Sequence, residues 1–185
     1  LVMAAASFAI ASNLFFAQGT AALSAITPLF AVFSIGLGVS LYFIHIYLKP
    51  LHLALQVFWL IGTVTTIAIA VSHHEPLALY IYHHPLTLFG TGFTFAALTG
   101  IYFKEAFCFN RLETKILTAI VPLLLLGHMA RILPIEMEQA LLGAWSIGFS
   151  IFAVRKMTQE IDPDIGDKSV FAYLKEQEKR PTESN

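Results

Sequence analysis

Between Leu1 and Phe103 the chain carries two charged side chains, Lys49 and Glu75. That scarcity constrains the fold more than any motif does. A soluble domain is roughly a quarter charged, whereas this chain is 57% hydrophobic and 12% charged. Apolar runs near the length of about 20 residues that crosses a bilayer follow one another with short polar breaks. The chain therefore reads as all-α, a polytopic transmembrane bundle of about six helices with a short soluble C-terminal tail.

The spans read as Leu1–Ala17, Ile26–Leu48, Leu51–Val71, Pro85–Phe107, Ile116–Leu133 and Met137–Val154. The first run has no basic stretch ahead of it, so a helix that starts further upstream is expected rather than a signal peptide. Lys49-Pro50 makes a tight turn, since proline restricts the residue before it and suits a first helical position. His73-His74-Glu75-Pro76 closes the third span. Arg131 and Pro134, with Glu136 and Glu138, separate the last two. The stretch "LALYIY" at 77–82 is too short to span and reads as an interfacial segment, with Tyr80 and Tyr82 at headgroup level.

Successive loops must alternate sides. One side receives Lys49, then Lys104, Arg111 and Lys115, then Arg155 and Lys156, and the other receives Arg131. By the positive-inside bias the first side, with the C-terminus, faces the cytoplasm or the stroma. Residues 1–154 form the transmembrane domain and 155–185 the polar tail. Within the tail "DPDIGDK" reads as turns and "SVFAYLKEQEKR" as a short helix. Its Val170, Phe171 and Leu174 would share a face for a membrane surface or a partner.

Small residues four apart let helices in lipid approach closely, and they occur as Ser34/Gly38, Gly92/Ala96/Gly100 and Ala144/Gly148. "PLFAVFSIGLGVSLYFIHIYLK" faintly echoes "PLTLFGTGFTFAALTGIYFK", which permits a duplicated hairpin.

Five charges, Lys104, Glu105, Arg111, Glu113 and Lys115, cluster around the chain's one cysteine, Cys108. Membrane anchoring by snorkelling cations accounts for the three basic ones. Docking to a partner is the alternative, and it also gives Glu105, Glu113 and the neighbouring phenylalanines a role. Lys104 and Glu105 are adjacent and should not face each other, so each is expected to need its own partner. Glu113 is expected to pair with Arg111, and Cys108 to be a buried, inert thiol.

Seven histidines are present. His73, His74, His83 and His84 with Glu75 have the chemistry of a transition-metal site, but adjacent histidines on a helix diverge by about 100°. Solvated interfacial histidines are the preferred reading. His45 and His128 read as intramembrane, His128 about two thirds across from Lys115. Each is expected to hydrogen-bond a carbonyl, with ligation of a chlorophyll or haem metal as the alternative.

No carboxylate falls near mid-span, where coupled transporters place them. Nucleophile elbow, P-loop and dinucleotide signatures are missing, so no enzymatic activity is expected. A net charge of −1 offers nucleic acid no electrostatic footprint.

"PLTLFGTGFTFAALTGIYFKEAFCFNRLETK", followed by "PLLLLGH" and "PDIGDKSVFAYL", resembles the domain of unknown function 2301, an integral-membrane family of cyanobacteria and plastid-bearing eukaryotes. The resemblance runs from about Thr27 to Leu174 and takes in Lys104, Glu105, Cys108, Arg111, Glu113 and His128. It implies a multi-helix thylakoid protein and carries no reaction with it. The expected function is a non-catalytic accessory subunit or assembly factor of a thylakoid photosynthetic complex, associated with a photosystem. Its partners would be membrane lipid and subunits of that complex, with no nucleic acid. Docking would use Lys104, Glu105, Arg111, Glu113, Lys115, Phe171 and Leu174. His45 and His128 are the pigment-ligand candidates, with chlorophyll, carotenoid or lipid as the bound group. A small transporter or channel is the alternative. An intramembrane enzyme using His128 and Glu105 is weaker, because those groups should lie near opposite ends of the fifth span.

Overall fold

The computed structural model describes residues 20–44, 46 and 49–158, with side chains from Leu23 onward. The expected first span, His45, and the tail helix with Phe171 and Leu174 lie outside the described residues. Within them the chain forms α1 (Thr20–Phe43), α2 (Lys49–Ser72), α3 (Leu77–His83), a 3₁₀ turn (Pro85–Thr87), α4 (Leu88–Phe109), α5 (Leu112–Met129) and α6 (Ile135–Thr158). Five of these, all but the seven-residue α3, are long and apolar enough to cross a membrane. The all-α transmembrane bundle expected from the sequence is the fold observed. The "LALYIY" stretch is a helix of its own, set off from α4 by the turn that Pro85 opens.

The spans run up and down. The ends of α1, α4 and α6 and the starts of α2 and α5 share one end, here the charged end. The end of α2, all of α3, the starts of α4 and α6 and the end of α5 share the other, the histidine end.

Two kinds of contact hold the bundle. α2 and α4 pack backbone to backbone, because a Cβ added at Gly62 would collide with the backbone nitrogen and Oγ1 of Thr94. Gly90 likewise meets Thr65, and Gly100 meets Leu55. The small-residue signal thus holds at Gly100. At Gly92 it does not, since the nearest side-chain carbons to an added Cβ there stand 3.9 Å away. Ser34 and Gly38 do face a neighbour: Trp59 of α2 packs over Gly38 and donates Nε1–H to the Ser34 carbonyl at 2.8 Å, while Ser34 Oγ bonds Thr63 Oγ1 at 2.8 Å. Such interhelical bonds are worth about 0.6 kcal/mol each in lipid.

Between α1, α4 and α6 large rings fill the core instead. Phe33 stacks on Phe95 at 5.7 Å and meets Trp145 and Phe149 edge-on at 6.4 Å. Tyr102 meets Phe149 at 5.8 Å and Phe152 at 5.6 Å. Edge-to-face and offset geometries of this kind add about 1 kcal/mol per pair beyond area burial.

Two helix ends differ from expectation. α5 ends at Met129, short of Leu133, because the chain closes there in a Schellman motif. The Arg131 N–H reaches the His128 carbonyl at 3.0 Å and the Ile132 N–H the Gly127 carbonyl at 3.1 Å, with Arg131 at φ 56° where glycine is usual. α6 continues past Val154 to Thr158, carrying Arg155 and Lys156 into its last turn, where cations suit the helix dipole.

Candidate functional site

Asn110, left-handed at φ 51°, ends α4, and α5 starts at Leu112. This tight turn brings the expected charge cluster against the end of α6. Lys104 and Glu105 are both buried, 8% and 1% exposed, and their Nζ and Oε1 lie 3.4 Å apart. Rather than each needing a separate partner, they pair with each other. Two long stems close the angle between adjacent helical positions, and Lys156 of α6 binds the other carboxylate oxygen at 3.0 Å. Glu113 pairs with Arg155 of α6 rather than with Arg111. The Phe109 ring sits among three cations, with Lys156 Nζ at 5.2 Å, the Arg111 guanidinium at 5.5 Å and Lys104 Nζ at 5.8 Å. Lys115 caps the turn through Asn110 Oδ1.

The cluster thus ties three helix ends together. Burial withdraws Lys104 and Glu105 from any docking surface. Lys115 remains exposed, as do Phe107, Cys108 and Leu112. The thiol is exposed, not buried as expected, because Phe107 and Cys108 fall on the outward side of the last turn of α4. His52, which sequence reasoning passed over, also works near this end, where its Nε2 lies 2.7 Å from the Leu41 carbonyl, one of the last of α1.

At the histidine end, His128 lies in the last turn of α5, not two thirds across a longer span. Its Nδ1 lies 2.7 Å from Glu138 Oε1 in the first turn of α6, and both side chains are under a fifth exposed. No carbonyl takes the imidazole proton; a carboxylate does. With Nδ1–H donating there, Nε2 is the acceptor nitrogen of the neutral ring, and it has no hydrogen-bond partner among the described residues. The Tyr82 ring from α3 lies 5.1 Å from the imidazole. These groups border a cavity of about 400 Å³, otherwise lined by leucine, isoleucine and alanine, with Gln139 at the side. A second cavity of about 190 Å³ shares Ala78, Ile81, Leu88, Leu124, Leu125 and Leu142 with the first and reaches Phe33, Phe95 and Trp145.

The four interfacial histidines are exposed. Tyr80 lies between two of them, 3.9 Å from His73 and 4.3 Å from His84. Among the described residues no three of His, Cys, Asp or Glu converge as metal ligands.

Sequence reasoning used Glu138 only as a break between spans. The signal that could have found it is position: His128 and Glu138 lie in the two helix turns that flank the connection at 130–134.

A family profile described as "Uncharacterized integral membrane protein (DUF2301)" matches residues 39–173, covering α2 to α6 whole. The chain belongs to this family. No protein with curated annotation matches it, and no solved structure does. Both ends of the bundle, the ion-paired cluster and the His128–Glu138 cavity, fall inside the segment that defines the DUF2301 proteins.

Proposed function

We propose that this DUF2301 chain is a non-catalytic accessory subunit or assembly factor of a thylakoid photosynthetic complex, with its charged end and C-terminus toward the cytoplasm or stroma. The observation that carries the reading is the charged end. Buried ion pairs cost desolvation and are weak devices for stability, yet Glu105 joins the ends of α4 and α6 through Lys156, and Glu113 ties the start of α5 to the same end through Arg155. The exposed Phe107, Cys108, Leu112 and Lys115 at that end would form the docking face, and docking on a face already held in place needs little reordering. The family resemblance supplies the thylakoid setting.

A transporter draws support from the paired cavities, but the aromatic core of Phe33, Phe95, Trp145, Phe149 and Tyr102 fills the route from them toward the charged end. That packing favours a subunit over a passage.

A photoactivatable cross-linker on Cys108 tests the reading in native membranes. Adducts to photosystem subunits are expected; adducts only to lipid or to abundant unrelated proteins contradict it.

A further inference from the structure

We propose that the cavity at the histidine end binds a prenylated quinone or quinol, its ring against His128 and its tail running inward between α1, α4, α5 and α6. The site is built like a receptor for one amphiphile. Its volume of about 400 Å³ lies in the range of small-molecule pockets, which are mostly apolar with a few convergent polar groups. Here those groups gather at one pole, as His128, Glu138, Gln139 and Tyr82. The adjoining 190 Å³ cavity extends the apolar path to Trp145, which suits a flexible hydrocarbon tail.

Head chemistry follows from the pair. With Nδ1–H given to Glu138, Nε2 offers a lone pair to a hydroxyl donor. With the imidazole protonated, Nε2–H offers a proton to a carbonyl instead. A head that exists as hydroxyl or carbonyl fits both forms. An anionic head does not, because the pair is net negative with imidazole and neutral with imidazolium. The flat Tyr82 ring beside the imidazole gives a planar head a surface to lie on. The pole sits in the last turn of α5 and the first of α6, near a span boundary, where the polar end of a membrane amphiphile resides.

This inference is independent of the docking reading, since the site lies at the opposite end of the bundle. The test uses the whole chain in mild detergent and a decyl-substituted benzoquinone, read by tryptophan fluorescence, because Trp145 lines the inner cavity. Saturable quenching is expected. His128→Phe should raise the dissociation constant about tenfold, the worth of one hydrogen bond. Leu142→Phe, which adds bulk where both cavities meet and removes neither His128 nor Glu138, should weaken binding as much and covers the case in which the first variant does not fold. Phe107→Leu, at the charged end, should change nothing. Quenching that rises linearly and equally in all variants reports partition into the micelle and overturns the proposal. So does an organic extract of the natively purified protein that holds chlorophyll, carotenoid or bulk lipid alone; about one prenylquinone per chain is the supporting result.

Discussion

Lys156, in the last turn of α6, places its Nζ 3.0 Å from Oε2 of Glu105 near the end of α4. Glu105 is 1% exposed and also holds Lys104, so one buried carboxylate answers two cations from different helices. Much of the charge concentrated between Lys104 and Lys115 is therefore spent inside the protein.

Glu105→Gln removes the buried carboxylate that Lys104 and Lys156 share. Glu105→Gln should lower stability by about 3 kcal/mol, the cost of breaking a buried pair from one side. Lys104→Met combined with Glu105→Gln should recover part of the loss, since the buried cation that Glu105 answered is removed with it. Thermal unfolding of the single and double variants in detergent measures both.

Gly62 and Gly92 make a matched pair. Gly62→Ala drives a methyl into the Thr94 backbone and should cost about 2 kcal/mol as overpacking. Gly92→Ala meets Leu125 and Leu88 at an ordinary 3.9 Å and should be neutral or gain up to about 1 kcal/mol of helix propensity. The same unfolding assay separates them.

Much of this fold was legible in the sequence, and the line between legible and hidden is physical. The breaks at His73 to Pro76 and at Arg131 to Pro134 are local chemistry and fall between observed helices, whereas Lys49-Pro50, expected as a turn, forms the first two residues of α2. Helix rotation was hidden. A span that is apolar all round shows no amphipathic stripe, and lipid-facing and core-facing leucines look alike, so nothing marked Gly62 as facing Thr94. The partners of Glu105 and Glu113 were hidden for the same reason, because Lys156 and Arg155 reach them only once α6 is in place.

Arg131 occupies the left-handed position of the Schellman motif that ends α5. A side chain there costs roughly 1–2 kcal/mol that glycine avoids. Arg131→Gly should stabilise the protein by about 1 kcal/mol after the greater chain entropy of glycine is allowed for, visible as a raised unfolding temperature.

Cys108 is an exposed native probe of sidedness at the charged end. A membrane-impermeant maleimide should label it in vesicles that present the cytoplasmic or stromal face and leave it unlabelled in sealed vesicles of opposite orientation. Labelling in the reverse pattern would invert the topology.

The most direct measurement is gentle solubilisation of the native membrane, native gel separation, and mass spectrometry with an absorption spectrum on each band. A photosynthetic accessory subunit or assembly factor should migrate with photosystem subunits, and Lys115→Glu should weaken that association while leaving the ion-paired cluster intact. Migration alone and colourless, with wild-type and variant chains indistinguishable, would contradict it.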